Sequence, residues 1–156
     1  MARKKNSGDT SQALTPSQKR QHTQWGTQFL VAAELERRGY TVSFTMGHNT
    51  PVADLMVATA AGEQFSVDVK GQSGRSSWNL RAKKDWKNLY YVLVYFPPHK
   101  PSKKRDADRF FILTQAEANE LVRVYRNNHP GDTGKAPGFA FKDPQPFEDS
   151  WRALPE

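Results

Sequence analysis

The chain contains no cysteine, which excludes disulfides, thiolate nucleophiles and cysteine-ligated zinc. Any metal it binds must be held by oxygen or imidazole. No apolar run approaches the roughly 18 residues that span a bilayer, and no basic helix carries a continuous oily face, so a membrane partner is not expected. The first residues are basic and rich in Ser and Thr without an apolar stretch, unlike a secretory signal, which leads to the expectation of a cytoplasmic protein. The four histidines (His22, His48, His99, His129) show no partner spacing, and no His-x-His or Ser/His/Asp constellation occurs. His48 precedes Asp54 in a loop and could meet a phosphate or a metal, but a lone loop histidine is more often simply solvated. There is no internal repeat.

What is abundant is positive charge and aromatic bulk. Lys and Arg outnumber Asp and Glu by 23 to 16, a formal net charge of +7. That balance favours a polyanion, nucleic acid before anything else. Nine Phe, five Tyr and four Trp supply large core pieces, and 156 residues suffice for one domain with a real core but not for two. We expect a flexible basic arm over residues 1–15 and one domain over 16–156, with a Gly/Pro-rich segment from about residue 128.

Periodicity supplies the elements. Thr15-Pro16-Ser17 can open a helix running to Arg38, and Gly39 is a natural stop. Trp25, Gln28, Phe29, Ala32 and Leu35 fall on one stripe, so Gln28 is a polar residue on a packed face. Glu34 lies about 120° away from Gln28 on an ideal helix and is expected to face outward. Strands are expected at 40–45, at 54–58 (DLMVA) and, after a turn at 60–63, at 64–70 (QFSVDVK). In the last of these Phe65, Val67 and Val69 alternate with Gln64, Ser66, Asp68 and Lys70, so Asp68 and Lys70 project the same way. A short strand is expected at 78–80, a central buried strand at 89–96 (LYYVLVYF) and another at 109–113. Thr114 with Glu117 reads as the capping box of a helix over 115–127. Trp151, in a final segment over 147–154, can pack back on the domain. The order implies an α/β fold with a mixed central sheet flanked by helices.

The chemistry lies in Asp54 and the triplet Asp68-Val69-Lys70. An acid-any-lysine triplet arises by chance about once in a chain of this length, so the triplet alone carries little. Antiparallel pairing through the turn, however, sets the start of one strand beside the end of the next, bringing Asp54 close to Asp68 or Lys70. Two carboxylates can hold a divalent ion, and an ammonium beside them can orient a water or stabilise charge. Hard oxygen donors suit Mg²⁺, with Mn²⁺ as a substitute. Between these strands and the buried one, SGRSSWNLRAKKDWK mixes Arg75, Arg81, Lys83, Lys84 and Lys87 with Trp78 and Trp86. The cations suit phosphate contacts, while the tryptophans are expected to belong mainly to the core. Gln72 continues the alternation of Asp68 and Lys70 and could face a substrate. The basic loop Lys100 to Arg105 is a further candidate for backbone contact.

The layout resembles the PD-(D/E)XK, or restriction-endonuclease-like, nuclease superfamily, whose shared core is helix, three-stranded meander, helix and further strand. WGTQFLVAAELERRGYTV, then Ala53-Asp54, then VDVKGQ at Val67 to Gln72, are similar to the archaeal Holliday-junction-resolvase-like branch and its bacterial relatives, as are LYYVLVYF and RFFILT. The resemblance covers roughly residues 24 to 124. It implies a restriction-endonuclease-like core and a Mg²⁺-dependent endodeoxyribonuclease, with Asp54 and Asp68 as metal ligands and catalytic residues, Lys70 assisting the nucleophile and Gln28 supporting from the first helix. Gln72, Arg75, Arg81, Lys83 and Lys84 would contact nucleic acid. Two positions depart from the pattern: Ala53 stands where a proline is usual, with Pro51 upstream, and Gln28 stands where such nucleases carry an acid. The second departure implies one metal rather than two. Duplex or branched DNA is the expected substrate, and cutting both strands implies a homodimer in similar nucleases. Three alternatives stay open: a binding module of this fold with little or no catalysis, an RNA-directed nuclease or component, and a basic adaptor for protein partners.

Overall fold

The computed structural model describes residues 13–45, 53–131 and 137–156. Most of the expected basic arm, His48 and Pro51 therefore lie outside the described residues. Thr15 caps helix α1, Pro16–Arg37, through a reciprocal box with Gln18, and Pro16 occupies the first turn, where its missing N–H costs nothing. Gly39 stops the helix with φ of +87°, a left-handed conformation that favours glycine.

Three antiparallel strands follow: β1 (Thr41–Phe44), β2 (Leu55–Ala58) and β3 (Gln64–Gln72). The turn between β2 and β3 closes through Thr59 and Gly62, with Gly62 again at positive φ, +86°. Residues 73–88 then cross over, contributing only the two-residue β4 (Trp78–Asn79), and return as β5 (Leu89–Tyr95), which pairs parallel to β3. β6 (Arg109–Thr114) pairs antiparallel to β5, and Thr114 caps α2 (Gln115–Asn128) through the expected box with Glu117. The sheet order is β1-β2-β3-β5-β6, and a second small sheet joins β4 to β7 (Gly138–Phe139). This is the expected α/β architecture with a mixed sheet and helices. The crossover from β3 to β5 contains no helix, unlike the layout the resemblance implied; the second helix comes after β6.

The core forms on both faces of the sheet. One face packs Val31 and Leu35 of α1 against Leu55, Phe65, Val67, Val69 and Val92. The other packs Ala118 and Val122 of α2, with Trp78 and Phe139, against Tyr91, Leu93 and Phe111. β3 is thus covered twice. Its alternation is present, but the polar side expected to meet solvent or substrate is itself buried at Ser66 and Asp68. A central strand with a layer on each face leaves little of either side to water.

The phase of α1 differs from the expected stripe. Its buried residues are Thr27, Gln28, Val31, Ala32 and Leu35, whereas Phe29 is 57% exposed. Phe29 instead stacks on Trp25 and meets Phe44, with ring centroids 5.9 and 5.4 Å apart. The helix is set in this rotation by its contact with β3 at Gly71, where a Cβ would lie only 2.4 Å from Thr27 Oγ1. Glu34 lies off the buried stripe, but its side chain is only 18% exposed and pairs with Arg37 and Arg38.

The C-terminal segment packs on the sheet in two 3-10 turns, Gln145–Phe147 and Trp151–Ala153. Trp151 is buried against Phe110, as foreseen. Arg109 donates two hydrogen bonds of 2.7 Å to the Glu148 carboxylate and holds its pKa below the usual glutamate range.

Two outcomes follow for stability. Gly71→Ala forces α1 off β3 and should cost about 1–3 kcal/mol, the usual range for overpacking, read by urea denaturation. Because the folded-state pKa of Glu148 is depressed, its contribution is present above the ordinary glutamate pKa and is lost as pH falls through the depressed one. Glu148→Gln should therefore cost at most about 1 kcal/mol at neutral pH, given the pair's partial exposure. Thermal melts of variant and wild type should converge as Glu148 becomes protonated in acid.

Candidate active site

The site begins where the β2–β3 ladder ends. Asp54 directly precedes β2; its N–H donates to Val67 O at 3.0 Å, and its carbonyl accepts from Thr45 N at 3.0 Å. One step further along β3, the Val69 N–H donates not to a backbone carbonyl but to Asp54 Oδ2, at 2.8 Å. The carboxylate thus completes the edge of β3 where β2 stops supplying acceptors. From α1, Gln28 Nε2 donates to Asp54 Oδ1 at 2.9 Å. Gln28 is 6% exposed, so this bond uses the amide of a polar residue that packing has placed inside. Burial raises the Asp54 pKa; the Val69 N–H lowers it, Asp68 raises it further, and Lys70 and Lys83 lower it, with the net shift upward.

Asp68, on β3, is 3% exposed. Its Oδ1 lies 2.5 Å from Lys70 Nζ and its Oδ2 lies 2.6 Å from Lys83 Nζ. Lys83 makes a hydrogen bond there. The Lys70 approach is an ion pair without hydrogen-bond geometry, so Oδ1 is a buried oxygen lacking a directed donor. Lys83 Nζ also sits 5.8 Å from the ring centroid of Tyr91, whose phenol pKa is raised by burial and by Asp68. Helix α2 holds the Lys83 backbone in place. Asn119 Nδ2 donates to Lys83 O at 3.2 Å, Gln115 Nε2 donates to Lys84 O at 2.8 Å, and Gln115 Oε1 accepts from Trp86 N at 2.7 Å.

Above this buried layer lies an open cleft of about 570 Å³. Asp54, Lys70, Gln72 and the loop of residues 73–77 form one side, and Lys19, Arg20, Thr23 and Gln24 of α1 form another. The strand expectation is met in that Asp54, Asp68 and Lys70 come together, with Gln28 as a neighbour of Asp54. Asp68 approaches the cleft from beneath and does not line it.

The outer residues divide. Gln72 lines the cleft but is bonded to its own loop, donating to Ser76 O at 3.2 Å and accepting from Ser76 Oγ at 2.9 Å. Arg75 leans over Tyr95 and pairs with Asp106 at 3.4 Å. Arg81 and Lys84 are exposed. Lys83, expected among the phosphate contacts, has its ammonium on Asp68, with about a third of its side chain exposed. Trp78 is a core residue at 2% exposure, while Trp86 is half exposed.

Sequence reasoning missed Lys83 as an inner residue, and it missed Lys19 and Arg20. A signal for the latter existed: Arg20, Gln24 and Gln28 follow at four-residue spacing and so share a helix face. No such signal existed for Lys83, because residues 73–88 follow neither helical nor strand periodicity.

The donor set fits a hard divalent ion. It offers carboxylate oxygens from two acids, and such ions accept one or two carboxylates with water completing the shell; at Asp68 Oδ1 an ion would have to displace the Lys70 ammonium that now lies 2.5 Å away. No third His, Cys, Asp or Glu joins them among the described residues. Comparison with known proteins adds no assignment: no family model, curated protein or solved structure matches the chain.

Gln28→Glu tests this local chemistry. It removes the donor to Asp54 and sets two carboxylates side by side in a buried place, at a cost of about 1–3 kcal/mol without metal. The variant's thermal midpoint should fall below wild type in chelator and should rise more than wild type's when Mn²⁺ is added. An unchanged midpoint in chelator would remove the Gln28–Asp54 bond from any structural role.

Proposed function

We propose that the chain is a metal-dependent endonuclease of the PD-(D/E)XK type, with a restriction-endonuclease-like core, hydrolysing phosphodiester bonds in DNA. The observation that carries this reading is that Asp54 and Lys70 open on one cleft while Asp68 joins Lys70 from beneath it. The formal charge of +7 supports a nucleic-acid substrate.

In this reading Asp54 and Asp68 hold one Mg²⁺, or Mn²⁺ in its place, which when bound neutralises charge on the scissile phosphate and makes a water more acidic. Asp54 is held in a fixed orientation by two donors, Gln28 Nε2 and the Val69 N–H, so its oxygens need little reordering to receive a cation. Lys70, about one-third exposed at the cleft wall, orients the attacking water or meets the charge that develops as the phosphorus–oxygen bond breaks. Lys19 and Arg20 on the opposite wall hold flanking phosphates. Neutral Gln28 adds no charge, which favours one ion over two.

One observation favours a second reading, a nucleic-acid-binding module of the same fold without catalysis. Both Asp68 oxygens already face ammonium groups, so the buried charge is compensated without any metal. Supercoiled, linear, single-stranded and junction DNA incubated with Mg²⁺ or Mn²⁺ separates the two. The endonuclease should cut at least one of these, and Asp68→Ala should lower the rate by about 10³-fold or more, with Lys70→Ala lowering it by about 10²- to 10³-fold. Absence of cutting by wild type, with wild type and Asp68→Ala binding DNA equally well, would leave the binding module.

A further inference from the structure

A second cleft, of about 340 Å³, lies beside the first and shares Ser73 and Gly74 with it. Its rim carries Lys100, Lys103, Lys104 and Arg105 from the loop after β5. Two acids lie in this loop, and both are engaged. Asp108 takes two hydrogen bonds from Arg105, at 2.6 and 3.1 Å, and Asp106 takes the Tyr95 hydroxyl at 3.1 Å and Arg75 at 3.4 Å. Lys100, Lys103 and Lys104 have no carboxylate partner among the described residues. Three uncompensated ammonium groups around one small depression make a local positive potential suited to phosphate.

The sill between the two clefts is low and fixed. A Cβ added to Gly74 would meet nothing within 4 Å, so a side chain has room at this point of the loop. The loop that forms it is pinned on both sides: Gln72 and Ser76 exchange two hydrogen bonds, and Arg75 ties it to Asp106 of the basic loop. Lys19 and Arg20 of α1 line the first cleft. Cations therefore border both clefts, Lys19, Arg20 and Lys70 the first and Lys100, Lys103 and Lys104 the second, and Ser73-Gly74 borders both.

We propose that the two clefts act as one furrow across Ser73-Gly74, a binding track for the sugar-phosphate backbone of a single nucleic-acid strand, with the Lys100, Lys103, Lys104 depression as a phosphate subsite remote from the bond that reacts. The track deepens the nuclease reading and rests on it for the place of the reacting phosphate, but binding along it needs no metal and no catalysis.

The test is fluorescence anisotropy in chelator with labelled single-stranded oligonucleotides of two and about ten nucleotides, DNA and RNA alike, over a salt series. Wild type should bind the longer strand tighter than the shorter by at least about tenfold, with a strong salt dependence. Lys103→Glu combined with Lys104→Glu should remove most of that gain and reduce the salt slope by about 1.4, the value for two lost phosphate contacts on a single strand. Gly74→Leu, placed where a side chain has room, should fold with an unchanged thermal midpoint and also lose the gain, because it raises the sill without touching a charge. Wild-type affinity for the longer strand in either variant overturns the track, as does a loss confined to DNA or to RNA, which would point to sugar or base readout. If the metal-loaded protein cuts nothing while both variants weaken binding as described, the nuclease reading fails and the track stands; if it cuts while both variants bind normally, the reverse holds.

Discussion

A carboxylate sealed inside the sheet layers at Asp68 imposes the constraint on which the surrounding structure depends. A buried charge must be compensated or neutralised, since the cost of leaving it alone is several kcal/mol or more. Two lysines meet it, and they come from different distances. Lys70 is two residues along the same strand and arrives by alternation. Lys83 comes from the irregular crossover, where Asn119 of α2 holds its backbone carbonyl and Gln115 holds that of Lys84. The second helix thus secures a segment with no regular structure of its own, and a side-chain ion pair ties that segment to the central strand.

This arrangement explains which parts of the fold could be read in advance. β3 was legible because period-two alternation and flanking turn residues agree, and its register with β2 followed from the turn, which placed Asp54 near Asp68. Helix ends were legible for the same kind of reason: Thr15 and Thr114 supply side-chain caps, and Gly39 supplies a left-handed stop. The burial of Asp68 was not legible, because a strand reads as half-exposed until the layer above it is known. That layer contains the crossover, whose side chains follow no period. The rotation of α1 was missed for a different reason. Hydrophobicity ranks Phe29 above Thr27 for the core, but Gly71 opens a place on β3 that admits Thr27 closely and leaves Phe29 to stack outside on Trp25 and Phe44.

The end of the β2 ladder is where structural and chemical roles coincide. Asp54 serves as an acceptor for a backbone amide that would otherwise be unpaired, so it has a structural reason to be present regardless of any ligand. Its bond from Gln28 connects α1 to the same point. An observer of the sequence can place Gln28 on a packed face, yet cannot see that its partner is the acid twenty-six residues on. The same two donors that stabilise the ladder's end also fix the direction of the Asp54 oxygens.

Formal charge links these observations. Within the inner cluster, Asp54 and Asp68 contribute two negative charges and Lys70 and Lys83 two positive ones, so the cluster is neutral by itself. An acid at position 28 would make it net negative in a place where burial already raises the Asp54 pKa. Gln28 avoids that excess while still filling the hydrogen-bonding need of Asp54. A divalent cation added to the neutral cluster would leave it with two positive charges, and Lys19 and Arg20 across the cleft add to that field. Such a field is complementary to consecutive phosphates rather than to a single monoanion. The neutrality of Gln28 and the presence of Lys83 are therefore two halves of one electrostatic arrangement, balanced as it stands, and on the proposed reading a bound cation would make it attractive to a polyanion.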